Sequence, residues 1–437
     1  MKGNRFLSDI TAGLTVSFAA ISLGAAFGIM SGRGAFAGMI AAAVIPIVAS
    51  TFGGTRLQAS GPTAPMTAVS ALVIAFAYDR FEDKALAEQF ITLIFILNAM
   101  LICLAGLLRL GKLIKLVPNV IILGFMNGIA FLIWKDQLTK VFATGEREVL
   151  KGGIVLNVVL MLATFALIYL IVWAVKKAKL PPAARSLISG VLWSIILMTV
   201  IAVAWNLPAE KVRLGSSVAS IAEFGRMVAA YFPSKEIWTL EYLLLALPYA
   251  AELTLLAYLD SLLTALIIER ITGERSKLNK ELVAQGLANG TAAVLQGIPG
   301  AQATIRSVLL IKEGAQTRFA GVLIGVFALL SILVFKDYLT LVPQAVFMGV
   351  LLKAGLDVCD KDFISSYFRG DWRRSMHRNL QLLFIAYATL VTLFIDLNIA
   401  VVTGTLLFYV AKYFWKIQDV EDNLTEVSEA ESKVITN

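Results

Sequence analysis

The chain has 437 residues, of which 58% are hydrophobic and 16% charged, with a mean hydropathy of +0.80. Soluble domains carry about half apolar and a quarter charged residues, so a soluble globular fold is excluded and a polytopic membrane protein is indicated. The net charge of +8 would suggest nucleic acid in a soluble chain; here Lys and Arg retained in cytoplasmic loops account for it, and no nucleic-acid partner follows.

The segment Met1–Asp9 leads straight into a glycine-rich apolar run without a cleavage site, and so reads as the approach to a first span rather than a removed signal peptide. Apolar runs then follow at Ile10–Met30, Ala35–Thr51, Pro65–Tyr78, Phe90–Leu108, Leu116–Trp134, Ile154–Val175 and Ser186–Trp205. After the long connection Asn206–Glu241 come Tyr242–Ile268, Leu282–Gln296, Ala303–Ile311, Phe319–Phe335, Val342–Leu356, Leu380–Ile395 and Ala400–Trp415. The expected fold is therefore all-α, with about fourteen transmembrane segments; Pro65–Tyr78 and Ala303–Ile311 fall short of the roughly 20 residues that cross a bilayer core.

Basic clusters at Arg109/Lys112/Lys115, Lys176/Lys177/Lys179/Arg185, Arg270/Arg275/Lys277/Lys280, Lys312/Arg318 and Lys361/Arg369/Arg373/Arg374/Arg378 fall on one side when these runs alternate. That side is the cytoplasm, which places both termini there. Leu116-Val-Pro118 opens the fifth run and Leu341-Val-Pro343 the twelfth, each after a short broken run. Seven segments per half make the halves inverted repeats, and interrupted half-helices at matching places in inverted halves point to a transporter's binding site. Chance tripeptide matches and interfacial helices are the plainer alternative.

Both broken elements carry candidate chemistry. In Gly53–Thr67, Gly61, Pro62 and Pro65 oppose a continuing helix, while Pro65 suits the first turn of a new one. Thr63 and Ala64 then stand at a free helix start where a ligand can approach backbone amides, unless the segment is an ordinary loop. In Leu295–Ser307, Arg306 falls in the first turn of the second half-helix. A charge at the bilayer centre costs from about 2.5 to above 10 kcal/mol, so an arginine there either serves a polar cavity or snorkels to the interface. A helix N-terminus and an arginine at that depth define an expected anion site.

The eighth run carries Glu252 and Asp260. Asp260 and Thr264 are one turn apart and share a helix face, a fair oxygen site for a small hard cation and equally a protonatable group. A static ion pair between Asp260 and Arg306 is the alternative. Glu252 falls nearer the outer end, in the aqueous vestibule. Gly24, Gly28 and Gly32 form a small-residue stripe typical of close helix packing, with Phe27 beside it. His377 sits in the basic Arg373–Arg378 segment and reads as solvated, and the acidic stretch Asp419–Glu431 reads as a solvated tail. Cys103 and Cys359, the two cysteines, suggest no disulfide framework. No nucleophile–base set, phosphate loop or metal cluster argues for an enzyme.

The motifs Ala26-Phe-Gly-Ile-Met-Ser-Gly32, Phe52-Gly-Gly-Thr-Arg-Leu-Gln-Ala-Ser-Gly-Pro-Thr-Ala-Pro-Met66, Leu259-Asp-Ser-Leu-Leu-Thr264, Asn279-Lys-Glu-Leu-Val-Ala-Gln-Gly-Leu-Ala-Asn289 and Gly297-Ile-Pro-Gly-Ala-Gln-Ala-Thr-Ile-Arg306 occur in one order along the chain. Through them the sequence resembles the SulP family, the sulfate-permease group of anion transporters. The resemblance implies a core domain at 1–112 and 241–336, a gate domain at 113–240 and 337–416, and half-helices 3 and 10 facing each other. Residues 417–437 are then a short tail, where family members commonly continue into a STAS domain that supports dimer formation. The implied substrate-binding set is Phe27, Thr63, Ala64, Ala303, Thr304, Ile305 and Arg306. The implied coupling-cation set is Asp260, Thr264, Gln302 and Thr304, matching the sodium site of the family's bicarbonate importers. Those importers lack an arginine at the position of Arg306, and Leu23 stands where prestin-like members carry glutamine, so features of two branches are mixed. The expected function is secondary active transport of a small anion of the bicarbonate, sulfate or dicarboxylate class, with Na⁺ or H⁺ as coupling ion and no other cofactor. Alternatives are an uncoupled exchanger or a channel, then a nucleobase symporter or a membrane enzyme. The expected setting is a bacterial inner (plasma) membrane, crossed many times, with a second copy of the chain as candidate partner.

Overall fold

The computed structural model describes residues 3–144, 149–178, 190–211, 221–339, 341–359, 365, 367, 376–395 and 397–415. Lys179, Arg185, Lys361, Arg369, Arg373, Arg374 and the acidic tail Asp419–Glu431 lie outside them. The described chain is overwhelmingly helical, with fifteen α-helices: α1 Gly3–Ser31, α2 Ala35–Phe52, α3 Ala64–Arg80, α4 Lys84–Leu107, α5 Asn119–Val141, α6 Gly153–Lys177, α7 Gly190–Ala204, α8 Ile221–Tyr231, α9 Leu240–Thr272, α10 Leu278–Val294, α11 Thr304–Lys312, α12 Arg318–Leu339, α13 Gln344–Val358, α14 Met376–Phe394 and α15 Leu397–Trp415. Two strands of two residues each, β1 Ser60–Gly61 and β2 Ala301–Gln302, precede α3 and α11.

Among the described residues, each apolar run named above contains a helix; residues 186–189 of the seventh run lie outside them. The addition is α8, inside the connection Asn206–Glu241; it packs along α4 and lays Phe224 edge-on to Phe36, with ring centres 6.0 Å apart. Its polar residues interrupt the apolar run, so hydropathy alone passes over it. His377 is exposed in the first turn of α14. Among the described residues, six helices are long and apolar enough to cross a bilayer by length and composition, and Gly190–Ala204, Arg318–Ile332 and Ile399–Trp415 are shorter apolar helices. Large apolar side chains such as Trp173, Leu406 and Phe414 are exposed, the reverse of a soluble surface and suited to lipid contact.

Two compact units are present. The first comprises Met1–Gly111 and Thr139–Leu351. Within it α10 packs on α4 and α2, α12 on α1 and α2, and α9 on α4. The glycine stripe has a divided role. Cβ atoms on Gly24 and Gly28 would fall 2.9 Å and 2.3 Å from the carbonyl oxygens of Gly38 and Gly34, so these two glycines seat α1 against α2. Gly32 has no such neighbour and instead takes φ +85° to turn the chain between them. The second unit comprises Lys112–Leu138 and Leu352–Asn437. Its core joins Val120 and Ile121 of α5 to Phe384, Ile385 and Ala388 of α14 and Phe408 of α15.

The α1–α2 turn carries a charge that hydropathy does not single out. Arg33 is 8% exposed; its guanidinium pairs with Glu88 at 3.0 Å, donates to the Gly297 carbonyl at 2.9 Å and also contacts Gln296. One side chain thereby ties α2, α4 and the end of α10 together. Breaking a buried pair by removing one partner leaves an uncompensated charge, at a cost of about 3–5 kcal/mol. Glu88→Ala should therefore lower the thermal unfolding midpoint in detergent sharply. Arg33→Met/Glu88→Met should recover part of that loss, and an unchanged midpoint in Glu88→Ala would refute the role given to the pair.

Candidate functional site

The site is built where β1 and β2 cross. They pair antiparallel, Ser60 opposite Gln302 and Gly61 opposite Ala301. Each leads directly into a helix, α3 behind Thr63 and α11 behind Ala303. Both N-cap residues are extended, with φ −120° at Thr63 and −97° at Ala303, and neither helix start receives a side-chain cap. The first-turn N–H groups of a helix have no intrahelical partner, so the crossing leaves the positive ends of two helices uncapped beside each other. Pro65 in the first turn of α3 lacks the N–H that would be orphaned there.

Only glycine permits the crossing. Gly61 has φ +143°, and a Cβ on it would lie 3.0 Å from Arg306 Nη1. A Cβ on Gly300 would lie 2.3 Å from the Gly61 carbonyl oxygen.

Two opposite charges border this point without pairing to each other. Arg306 is 4% exposed; its Nη2 donates to the Pro62 carbonyl at 2.9 Å, while Nη1 is buried without a hydrogen-bond partner. Asp260, on α9, accepts from the Thr63 hydroxyl at 2.9 Å. Consecutive residues at the approach to α3 thus hold the arginine and the carboxylate, in place of the static Asp260–Arg306 pair weighed above. One turn further along α9, the Thr264 hydroxyl donates to the Gln302 carbonyl at 3.1 Å and lies 2.6 Å from the Thr304 hydroxyl. A single face of α9 therefore touches both half-helix starts. The Thr264 and Thr304 hydroxyls and the Gln302 carbonyl meet at one point, one turn of α9 from the Asp260 carboxylate, and oxygen groups of these kinds are the ligands that small hard cations take.

The anion-site residues named from sequence are distributed as follows. Thr63, Ala64 and Phe27 are buried, Ala303 and Thr304 are half-buried, and Ile305 is 58% exposed, turned away from the buried guanidinium. The side-chain oxygen and nitrogen of Gln302 are both buried without partners. Glu252 is half-buried on α9, two turns from Asp260.

Hydropathy and charge do not single out what holds the two loops. On α10, Glu281, Gln285 and Asn289 recur every four residues and are buried. Glu281 accepts from the Gly54 and Thr55 amides, each at 2.8 Å, and Gln285 donates to Ser60 Oγ at 2.7 Å. Asn289 makes two bonds to one residue, accepting from the Gly300 amide at 2.7 Å and donating to its carbonyl at 2.9 Å. Their signal in the sequence is three polar side chains at every fourth position of α10, within Asn279–Asn289. Their partners lie as far as 227 positions away, which spacing cannot reveal.

Comparisons with known proteins agree on one family. Residues 6–371 match the model of the sulfate permease family. The putative sulfate transporter YvdB of Bacillus subtilis is 31% identical over 93% of this chain and 73% of its own length. The bicarbonate transporter BicA of Picosynechococcus sp. is 31% identical over 91% of this chain and 68% of its own. Among solved structures, the transmembrane domain of a cyanobacterium bicarbonate transporter BicA superposes with a TM-score of 0.75 at 26% identity, covering 91% of this chain and 97% of that one. The overall structure of SLC26A9 gives a TM-score of 0.71 at 15% identity, covering 95% and 66%, and at that identity speaks for the fold alone.

The crossing itself is open to test. Opposed Cα atoms of an antiparallel pair are about 4.5–5.5 Å apart, inside the range a disulfide spans. In a background with Cys103 and Cys359 replaced by serine, Ser60→Cys/Gln302→Cys should cross-link on mild oxidation, as read by mass spectrometry of the joined peptides. Ser60→Cys/Thr304→Cys, displaced by two residues, should not. Equal yields from both pairs would rule out the register.

Proposed function

Because the chain belongs to the sulfate permease family, we propose that it is a secondary active transporter of a small oxyanion of the bicarbonate, sulfate or dicarboxylate class, coupled to Na⁺ or H⁺ through Asp260. The observation that carries this reading is the buried, unpartnered Nη1 of Arg306 beside two uncapped helix starts. Leaving a buried charged donor unsatisfied costs more than the 1–3 kcal/mol or so of a neutral group. An anion at the crossing would satisfy that donor and the amides at Ala64, Thr304 and Ile305 together, in exchange for its hydration shell.

The coupling cation would sit among Asp260, Thr264, Thr304 and the Gln302 carbonyl. It would neutralise the carboxylate and brace α9 against both half-helix starts, favouring the arrangement that receives the anion. The wider reading is the family architecture: fourteen spans in two inverted repeats, a core of 1–112 and 241–336 rocking against a gate of 113–240 and 337–416, both ends cytoplasmic in a bacterial inner membrane, with a homodimer as the assembly. Support comes from the relatives that transport sulfate and bicarbonate by name and from proline-led starts at matching places, Pro118 before α5 and Pro343 before α13. An uncoupled anion exchanger is the second reading, favoured by Arg306 itself, since a fixed positive charge can do electrostatically what a co-transported cation does.

Uptake of labelled bicarbonate and sulfate into proteoliposomes, with imposed Na⁺ or H⁺ gradients, separates these readings. A hydrogen bond to a charged group contributes about 1.5–3 kcal/mol, so Arg306→Ala should weaken anion affinity roughly 10- to 100-fold while the protein stays folded. Asp260→Asn should abolish the response to the cation gradient. Unchanged affinity in the first variant removes the anion site from the crossing; gradient dependence retained in the second removes Asp260 from coupling, and no gradient dependence in the wild type selects the exchanger.

A further inference from the structure

The first compact unit holds a second electropositive concavity that shares no residue with the crossing. It encloses about 210 Å³ between the segment Gly54–Leu57 after α2, the turn from α9 into α10, and Arg318 at the start of α12. Five cationic side chains line it, Arg56, Arg275, Lys277, Lys280 and Arg318, against one acid, Glu274. Glu274 is taken up by Arg56 at 2.7 Å, and Arg318 Nη1 donates to the Gly53 carbonyl at 2.6 Å. Arg275, Lys277 and Lys280 form no ion pair among the described residues. Lys277 is the N-cap of α10 and receives no side-chain cap, so the open amides of that helix add to the positive field. Two further acids adjoin the wall, and both are engaged: Glu281, buried in the first turn of α10, accepts from the Gly54 and Thr55 amides, and Glu269 on α9 accepts from the Ser276 amide at 3.2 Å.

Retention of basic residues on one side of a membrane explains their number in loops but gives no reason for them to line one concavity. The volume lies below the roughly 300–1,000 Å³ of pockets for drug-sized ligands, so the occupant is compact. A surplus of cationic donors around a small space suits a group with several anionic oxygens, for which Arg and Lys are the usual partners.

We propose that this pocket is a second anion-binding site, separate from the crossing, that takes a phosphate monoester group, carried either by a free soluble phosphate or by an anionic lipid headgroup at the membrane surface. The wall of the pocket is the stretch that runs on into Gln58 and Ser60, and the α10 residue bonded to it, Glu281, is one turn from Gln285, which holds Ser60. The site thus abuts the scaffold of the crossing without entering it.

The full chain in detergent, titrated with inorganic phosphate at constant ionic strength, provides the test. Phosphate should raise the unfolding temperature of the wild type and of Arg306→Ala alike. Arg275→Gln/Lys280→Gln removes two exposed cations, and should weaken the phosphate response about tenfold or more while leaving labelled-anion uptake intact. Should that variant not fold, Lys280→Gln alone should weaken the response measurably. In nanodiscs, phosphatidic acid should occupy the site and suppress the phosphate response if lipid is the source; persistence of the response there identifies a soluble source. Absence of any phosphate response in the wild type, loss of it in Arg306→Ala, or an undiminished response in the pocket variants would overturn the proposal. None of these outcomes bears on uptake by the crossing, which Arg306→Ala tests separately.

Discussion

Two helix N-termini cannot be brought together for nothing: each carries roughly half a positive charge, and here a guanidinium is buried beside them. The antiparallel contact of β1 with β2 overcomes that repulsion, and the rest of the first unit is arranged to maintain it. Glycine at 61 and 300 removes the side chains that would separate the backbones. The polar stripe of α10 holds each loop from behind, Gln285 at Ser60 and Asn289 at Gly300. Replacing water around the loop amides by these fixed partners matters because unpaired backbone groups away from water cost several kilocalories in an apolar medium.

From this constraint the electrostatics follow. Pro62 and Thr63 receive Arg306 and engage Asp260 respectively, so the approach to α3 keeps the two charges apart while using both. Had the charges joined, each would have been satisfied internally and the crossing left with little reason to attract a solute. Kept apart, the arginine retains an unused donor and the carboxylate holds the Thr63 hydroxyl, one turn of α9 from the Thr264–Thr304 pair. The proposed anion and cation roles are two consequences of that separation.

The Arg33–Glu88 pair solves a different problem in the same unit. It fills the turn between α1 and α2, where Gly32 bends the chain, and reaches the Gly297 carbonyl at the head of the loop that becomes β2. The loop is therefore held at Gly297 by an arginine and at Gly300 by an asparagine, three residues apart, immediately before it enters the crossing.

Proline, glycine and apolar run length by themselves determined the helices, the two interruptions, and the helix starts behind Thr63 and Ala303, because these depend on local backbone geometry and on the length needed in lipid. The same signals singled out Arg306 and Asp260 as charges out of place in apolar surroundings. Tertiary structure alone decided which group each charge meets, that Gly32 turns the chain while Gly24 and Gly28 pack it, that Ile305 turns outward, and that α10 is the scaffold of both loops. Those contacts join residues up to more than two hundred positions apart, and a hydrogen bond carries no trace of its partner in the local periodicity of either segment. The helix α8 escaped for the complementary reason: its polar residues break the apolar run, and only its packing on α4 reveals it.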